Sequence, residues 1–192
     1  MEITEIYYPK VRTDWRAWLE ENHTQKREIW LRRFKKATGK PCITYDELVE
    51  ECLCFGWIDG VVKKLDEESN VQRITPRRKK KTFLSELNRQ RVWKLQALGL
   101  MTEAGVIPIQ DQIGSPEEAF EVPNWIVQQL AEAELLERFQ AYPLMYQRLK
   151  VGWISEASKY RPEESQRRLN YLIKMTGKDK MYGTIPEIPG YY

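Results

Sequence analysis

The sequence predicts an α+β fold. Its N-terminal part contains a small antiparallel sheet, a strand plus a hairpin, packed by helices, and an all-helical C-terminal part follows. Three observations support this class. Short runs with alternating apolar and polar residues fall in the first half of the chain. A segment rich in proline and glycine, 106–123, follows them. Beyond it, apolar residues recur at helical spacing only.

The same patterns predict four segments. Residues 1–105 form the α+β N-terminal domain, and 106–123, with three prolines and Gly114, form a linker. Residues 124–177 form the helical C-terminal segment, and 178–192 an extended tail. At 192 residues, the chain is long enough for one large domain or two small ones.

The first strand is predicted from Glu28 to Lys35, where Ile29 and Leu31 share one face. Thr44 and Glu47 then form a T-x-x-E capping box that opens a helix. Gly56 ends that helix, because glycine enters the left-handed conformation without a Cβ clash. His23, the only histidine, is interpreted as a C-terminal helix cap rather than a catalyst.

A hairpin follows this glycine. Its first strand begins at Trp57, a polar connection covers Asp66 to Asn70, and the second strand runs from Val71 to Thr75. Pro76 ends that strand, since proline cannot donate to a ladder. Strict alternation places one set of residues on one face of the first strand: Trp57, Asp59, Val61, Lys63 and Leu65.

The hairpin also carries the candidate ligand site. Acidic, basic and aromatic residues border one surface, and a phosphate or carboxylate would suit it. The candidate residues are Trp57, Asp59, Gly60, Lys63, Arg73, Thr75, Arg77 and Arg78. A basic run, Arg77 to Lys81, follows directly. In the alternative interpretation, Asp59 pairs with Arg73 across the hairpin, Gly60 marks a bulge or a close helix contact, and the run is solvated.

Composition limits the function classes. With 31 basic and 28 acidic residues the net charge is +3, too small to require a nucleic acid or a membrane as partner. Neither a signal peptide nor a stretch long enough for a transmembrane helix is present. The chain has three cysteines, and this odd number favours a reduced, cytoplasmic protein. One histidine and no C-x-x-C pair predict no metal and no cofactor.

Several motifs resemble the YdeI/OmpD-associated family, also called bacteriocin-protection proteins of the OmdA type. They are W-x-x-W-L-E-x-N-H from Trp15, G-K-P-x-I-T-Y-D-E-L-V-E-E from Gly39, C-F-G-W-I-D-G from Cys54 and R-I-T-P-R-R from Arg73. In the C-terminal part, G-W-I-S-E-A from Gly152 is similar to that family's helical segment. The resemblance implies an α+β part followed by a helical part. The family's name implies protection against bacteriocins or envelope stress.

Three functions remain open at this stage. The first is a non-enzymatic binding protein that holds an anionic small molecule or a protein partner on the hairpin. The second is a nucleic-acid-binding protein that uses the basic run 73–81, with Trp30 and Trp57 as stacking platforms. The third is an enzyme for a small anionic metabolite, with Asp59 as acid or base and Lys63 or Arg73 as the anion clamp.

Overall fold

The computed structural model describes residues 2–78, 83–158 and 160–191, and it confirms the α+β class. The chain forms two compact units. Unit 1 consists of Met1–Phe83 and Gly99–Gln110, and unit 2 of Leu84–Leu98 and Asp111–Tyr192. Unit 1 contains a mixed four-stranded sheet with helices, whereas unit 2 is helical.

The sheet of unit 1 has the order β1-β2-β4-β3. Its strands are β1 (Ile6–Tyr7), β2 (Ile29–Phe34), β3 (Trp57–Lys64) and β4 (Ser69–Pro76). The three longer strands pair with one another in antiparallel orientation, as predicted. β1 pairs in parallel with β2 and adds a fourth strand to the sheet, which the sequence did not predict.

The predicted boundaries of the hairpin hold, except at the connection. β3 begins at Trp57 and β4 ends at Pro76, as expected. The connection is shorter than predicted, because β4 already begins at Ser69. The side chain of Asp66 explains this: its Oδ1 accepts the Glu68 N–H at 2.9 Å and the Ser69 hydroxyl at 2.7 Å. A carboxylate that bonds backbone two residues ahead tightens a turn.

Two of the helices lie between strands, and the others come after β4. In chain order, the helices are α1 (Arg12–Asn22), α2 (Tyr45–Cys54), α3 (Glu86–Ala97), α4 (Glu103–Val106), α5 (Gln110–Ile113), α6 (Asn124–Glu132), α7 (Leu136–Gln140), α8 (Leu144–Ser158) and α9 (Pro162–Gly177). Local signals fix several ends. Thr44 and Glu47 form the predicted capping box, and His23 caps α1 at its C-terminus.

Gly56 ends α2 in the left-handed conformation, with φ of 70°. A Cβ atom on Gly56 would lie 2.2 Å from the carbonyl oxygen of Ala104. In the same region, a Cβ on Gly105 would lie 2.3 Å from the carbonyl oxygen of Cys54. That oxygen also accepts the Thr102 hydroxyl at 2.6 Å. The backbones of α2 and α4 therefore meet directly, and glycine at both positions makes this approach possible.

Each unit has its own buried apolar residues. In unit 1, Trp15, Leu19, Ile29, Leu48 and Trp57 are almost completely buried. In unit 2, a cluster is formed by Ile126, Leu130, Phe139, Val151, Ile154, Leu169 and Leu172. The two units each bury enough apolar surface to have a separate core.

The units do not follow the order of the chain. The helix α3 belongs to unit 2, where it packs against α8, although the segment after it returns to unit 1. The segment predicted as a linker, 106–123, contains α5 and runs through both units. The domain limits predicted at residues 105 and 123 stay predictions.

Candidate functional site

The predicted ligand residues lie on the two faces of the sheet rather than on one surface. β3 pairs Asp59 with Ile74 of β4, but the next regular pair is Val62 with Gln72. The register shift is a β-bulge over Gly60 and Val61, and an extra residue reverses the alternation beyond it. Trp57 and Asp59 therefore lie on one face, and Lys63 lies on the other. We refer to these as the Asp59 face and the Lys63 face.

On the Asp59 face, the carboxylate of Asp59 is held by two donors. Its Oδ2 accepts the Tyr45 hydroxyl and the Gln72 amide, both at 2.9 Å. The amide oxygen of Gln72 in turn accepts Arg33 Nη1 at 3.3 Å. The Arg33 guanidinium lies over the Tyr45 ring, 5.5 Å from its centroid. We call Arg33, Tyr45, Asp59 and Gln72 the Asp59 cluster.

A small pocket of about 130 Å³ opens beside this cluster. Its lining includes Arg33, Lys35, Val62, Asn70 and Gln72. Val62 is 53% exposed, so the pocket reaches solvent. The Nε atom of Arg33 is buried and has no hydrogen-bond partner in the part of the chain that the structure describes. Arg33 thus lines a solvent-connected pocket and carries a buried guanidinium donor that has no partner among the described residues.

The structure also buries Arg77 near this face, with 7% of the residue exposed. Its backbone N–H donates to Gly56 O at 2.8 Å, but its Nη1 has no partner among the described residues. Burial lowers the pKa of the Arg77 guanidinium, and the charges of Cys52 and Asp59 oppose that shift. Arg77 is therefore a buried guanidinium that interacts with Asp59, and not an exposed member of the predicted basic run.

On the Lys63 face, the basic side chains already have partners. Arg73 Nε donates to Glu28 Oε2 at 2.7 Å, and Arg73 Nη2 pairs with the same oxygen. Hydrogen bonds from Thr4 and Arg73 lower the pKa of Glu28. Lys63 Nζ lies over the Trp30 ring, 5.4 Å from its centroid. The predicted pairing of Asp59 with Arg73 is wrong, because Arg73 lies on the opposite face and pairs with Glu28.

The structure also gives the burial and position of the remaining predicted residues that it describes. Trp57 is 1% exposed and donates its indole N–H to His23 O at 3.3 Å. Trp30 is fully buried. Neither indole can act as a stacking platform, so that prediction is wrong. Gly60 lies in the bulge, Thr75 is half-buried and Arg78 is exposed. The rest of the predicted basic run, residues 79–81, lies outside the described residues.

Sequence reasoning missed Arg33, Tyr45 and Gln72. A signal for Arg33 was present, because the alternation of β2 places it on the same face as Ile29 and Leu31. An arginine that continues an apolar face is often held by buried partners. Tyr45 and Gln72 gave no comparable signal, since their contacts with Asp59 join residues 14 and 13 positions apart and depend on the packing of α2 and on the pairing of β3 with β4.

Over the described ranges, the structure contains no group of histidine, cysteine and acidic residues that could hold a metal ion. Among the helices that it describes, none is long and apolar enough to cross a membrane.

Comparison with known proteins gives one match. A family model described as a domain of unknown function, DUF8412, matches residues 7–107. No curated protein and no solved structure matches the chain. The matched range covers β2, β3 and β4, the Asp59 cluster and α4, and it is more than half of the sequence. The chain therefore belongs to the DUF8412 family.

Proposed function

We propose that this chain is a non-enzymatic binding protein that holds a small oxyanion, a phosphate or carboxylate group, in the pocket beside Arg33. The buried, unpaired Nε of Arg33 at that pocket is the observation that carries the proposal. A buried donor without a partner costs about 1–3 kcal/mol, and more when the group is charged. An anion that accepts this N–H recovers part of that cost.

The Asp59 cluster gives the guanidinium a fixed orientation. Gln72 holds one side of Arg33 at Nη1, and the Tyr45 ring covers its face. The Nε edge is left for an external acceptor. A planar fork held in this way suits a two-oxygen acceptor, which lysine would not match. Lys35 and Asn70 line the same pocket and can add donors.

The same geometry argues against the two other functions. An enzyme with Asp59 as acid or base needs an anion clamp nearby, but Lys63 and Arg73 lie on the opposite face. A nucleic-acid-binding surface loses its two stacking platforms, since Trp30 and Trp57 are buried. We further propose a cytoplasmic location, which the three free cysteines favour. A role in bacteriocin or stress protection, suggested by the YdeI/OmpD-associated resemblance, is part of the same proposal.

Isothermal titration and thermal denaturation with inorganic phosphate and acetate test this site, at low and high salt. We expect one oxyanion to bind and to raise the melting temperature. The Arg33→Gln variant should lose about tenfold or more in affinity, since a hydrogen bond to a charged group contributes about 1.5–3 kcal/mol.

The adjacent arginine provides a matched control. Arg32 lies on the Lys63 face and pairs with Asp66 at 2.6 Å, so Arg32→Gln should bind the oxyanion like the wild type. Equal binding by wild type and a folded Arg33→Gln variant would overturn the proposal. Failure of both oxyanions to bind the wild type would do so as well. A short oligonucleotide that binds with a steep salt dependence, while phosphate does not bind, would favour nucleic acid instead.

A further inference from the structure

Unit 2 contains a larger pocket of about 390 Å³ that the sequence did not indicate. Its walls come from the start of α3, one face of α8, the middle of α9 and the segment after α9. This volume lies in the range of small-molecule sites, about 300–1,000 Å³. Every residue that lines it belongs to unit 2.

Of the described residues that line the pocket, Lys150 is the only cation, and it is 5% exposed. Its Nζ donates to Tyr182 O at 2.5 Å. The ammonium also lies 4.0 Å from the centroid of the Tyr182 ring and 5.0 Å from that of Tyr146. Burial lowers the pKa of Lys150 to about 8. One hydrogen bond and two aromatic ring faces thus replace the water that would otherwise surround the Lys150 ammonium. The ammonium still has further N–H donors.

The backbone makes room for this ammonium at Gly183. A Cβ atom on Gly183 would lie 3.1 Å from Lys150 Nζ, and the residue has φ of 81°. A side chain there would crowd the ammonium and strain the turn. Gly183 therefore keeps the pocket open at its one cationic group.

Aromatic side chains form the other walls. Trp153 and Tyr171 are 36% and 43% exposed, an unusual exposure for large rings beside a cavity. Tyr171 meets Tyr182 edge to face, with 4.8 Å between ring centroids. Glu156 also lines the pocket. Its Oε1 accepts the Glu86 N–H at 2.9 Å, and burial raises its pKa. The environment thus disfavours a negative charge on the only acidic group of the lining.

We propose that this pocket binds the anion of an apolar carboxylic acid, with the carboxylate on Lys150 and an aromatic or short aliphatic body between Trp153 and Tyr171. A carboxylate supplies acceptors for the unused ammonium donors. The apolar walls match the rest of such a molecule. A phosphate group fits less well, because its second negative charge would have no cation in the lining.

This site is independent of the oxyanion site beside Arg33. The two sites lie in different units, and the aromatic walls that would hold the body of an apolar acid belong to the pocket at Lys150. Arg33→Gln should therefore leave binding at Lys150 unchanged, and a failure of one proposal does not affect the other.

Isothermal titration of the full chain with benzoate and with hexanoate tests the proposal, and benzamide is the uncharged comparison. In the Arg33→Gln variant, which removes the oxyanion site, we expect at least one carboxylate to bind with one site per chain, and benzamide to bind at least tenfold more weakly. The Lys150→Met variant keeps most of the side-chain volume and removes the charge, and it should lose tenfold or more in affinity. Lys174→Met is the control, because Lys174 is exposed on α9 and does not line the pocket.

A second variant protects the test from a folding defect. Leu87→Trp narrows the pocket from α3 and leaves Lys150 in place, so it should also weaken binding of the carboxylate. Melting temperatures of all variants establish that they are folded. Unchanged binding by both folded variants would overturn the proposal, as would equal affinity for benzoate and benzamide, or absence of carboxylate binding to the wild type.

The pH dependence adds an independent readout. Binding requires the ammonium form, so the affinity for benzoate should fall about tenfold per pH unit above pH ~8. The pKa of Tyr146 is raised to about 12 and that of Tyr182 is raised as well, so both phenols stay neutral there. Glu156 faces the same pocket, and burial raises its pKa. An affinity that stays constant across this range would contradict the role of Lys150.

Discussion

Three glycines of unit 1 separate two physical costs of adding a methyl group. Gly39 and Gly56 have nearly the same left-handed φ, 66° and 70°. A Cβ on Gly39 would meet nothing within 4 Å, whereas one on Gly56 would lie 2.2 Å from Ala104 O. Gly105 has no positive φ, but its Cβ would lie 2.3 Å from Cys54 O. An added Cβ atom therefore causes backbone strain alone at Gly39, strain and a steric clash at Gly56, and a clash alone at Gly105.

The expected losses of unfolding free energy follow from this geometry. Gly39→Ala should cost about 1–2 kcal/mol, the usual penalty of an L-residue in the left-handed region. Gly56→Ala adds an overlap with backbone that cannot rotate away, and overpacking costs about 1–3 kcal/mol, for a total of about 2–5. Gly105→Ala should cost about 1–3 kcal/mol from the overlap, reduced by roughly 1 kcal/mol because alanine favours the helix.

Urea denaturation followed by tryptophan fluorescence measures these differences as shifts in midpoint at constant slope. Gly39→Ala is the matched control, since its backbone strain is nearly that of Gly56. If Gly56→Ala lowers the free energy of unfolding no more than Gly39→Ala does, the close approach of α2 and α4 adds no cost for a Cβ atom, and the reasoning fails. A change in slope would instead indicate that the substitution alters the compactness of one state.

Two further predictions concern titratable groups. Burial raises the pKa of the Cys54 thiol to about 12, and it raises the pKa of the Cys52 thiol as well. Alkylation of the folded protein at pH 8 should therefore modify Cys42 alone. Early modification of Cys52 or Cys54, detected by mass spectrometry, would contradict their burial. Lys150 has a pKa of about 8 in the folded protein, compared with 10.5 for an ordinary lysine. Between these two pH values the unfolded chain holds a proton that the folded chain lacks, so the free energy of unfolding should rise with pH. In urea denaturation across this pH range, Lys150→Met should flatten the rise.

Local signals in the sequence predict the elements of unit 1 well. The capping box at Thr44 and Glu47, the stop at Gly56 and the end of β4 at Pro76 each depend on a few neighbouring residues. Such signals act through the nearest backbone, so the rest of the fold does not alter them. The parallel strand β1 lacked a signal of this kind, because two residues are too few for a visible alternation.

The candidate site was harder to predict, because it depends on register. One bulge at Gly60 moves Lys63 to the face opposite Asp59 and separates the predicted clamp from the predicted acid. The sequence permits a bulge at a glycine but does not require one. The pocket at Lys150 depends on contacts between α3, α8, α9 and the following segment. Contacts between such distant segments arise from packing, and no periodicity along the chain records them.

The place of α3 sets an order for synthesis. Unit 1 needs Gly99–Gln110, including the Thr102 hydroxyl that caps Cys54 O, whereas the helix made just before that segment belongs to unit 2. During translation, α3 leaves the ribosome before any of its unit 2 partners on α8 has been made. The apolar face of α3 therefore lacks its α8 partner while the segments before and after α3 fold into unit 1. A chain truncated between residues 110 and 144 would contain both segments of unit 1 but no α8, so α3 would lack that packing partner and expose apolar surface that promotes aggregation.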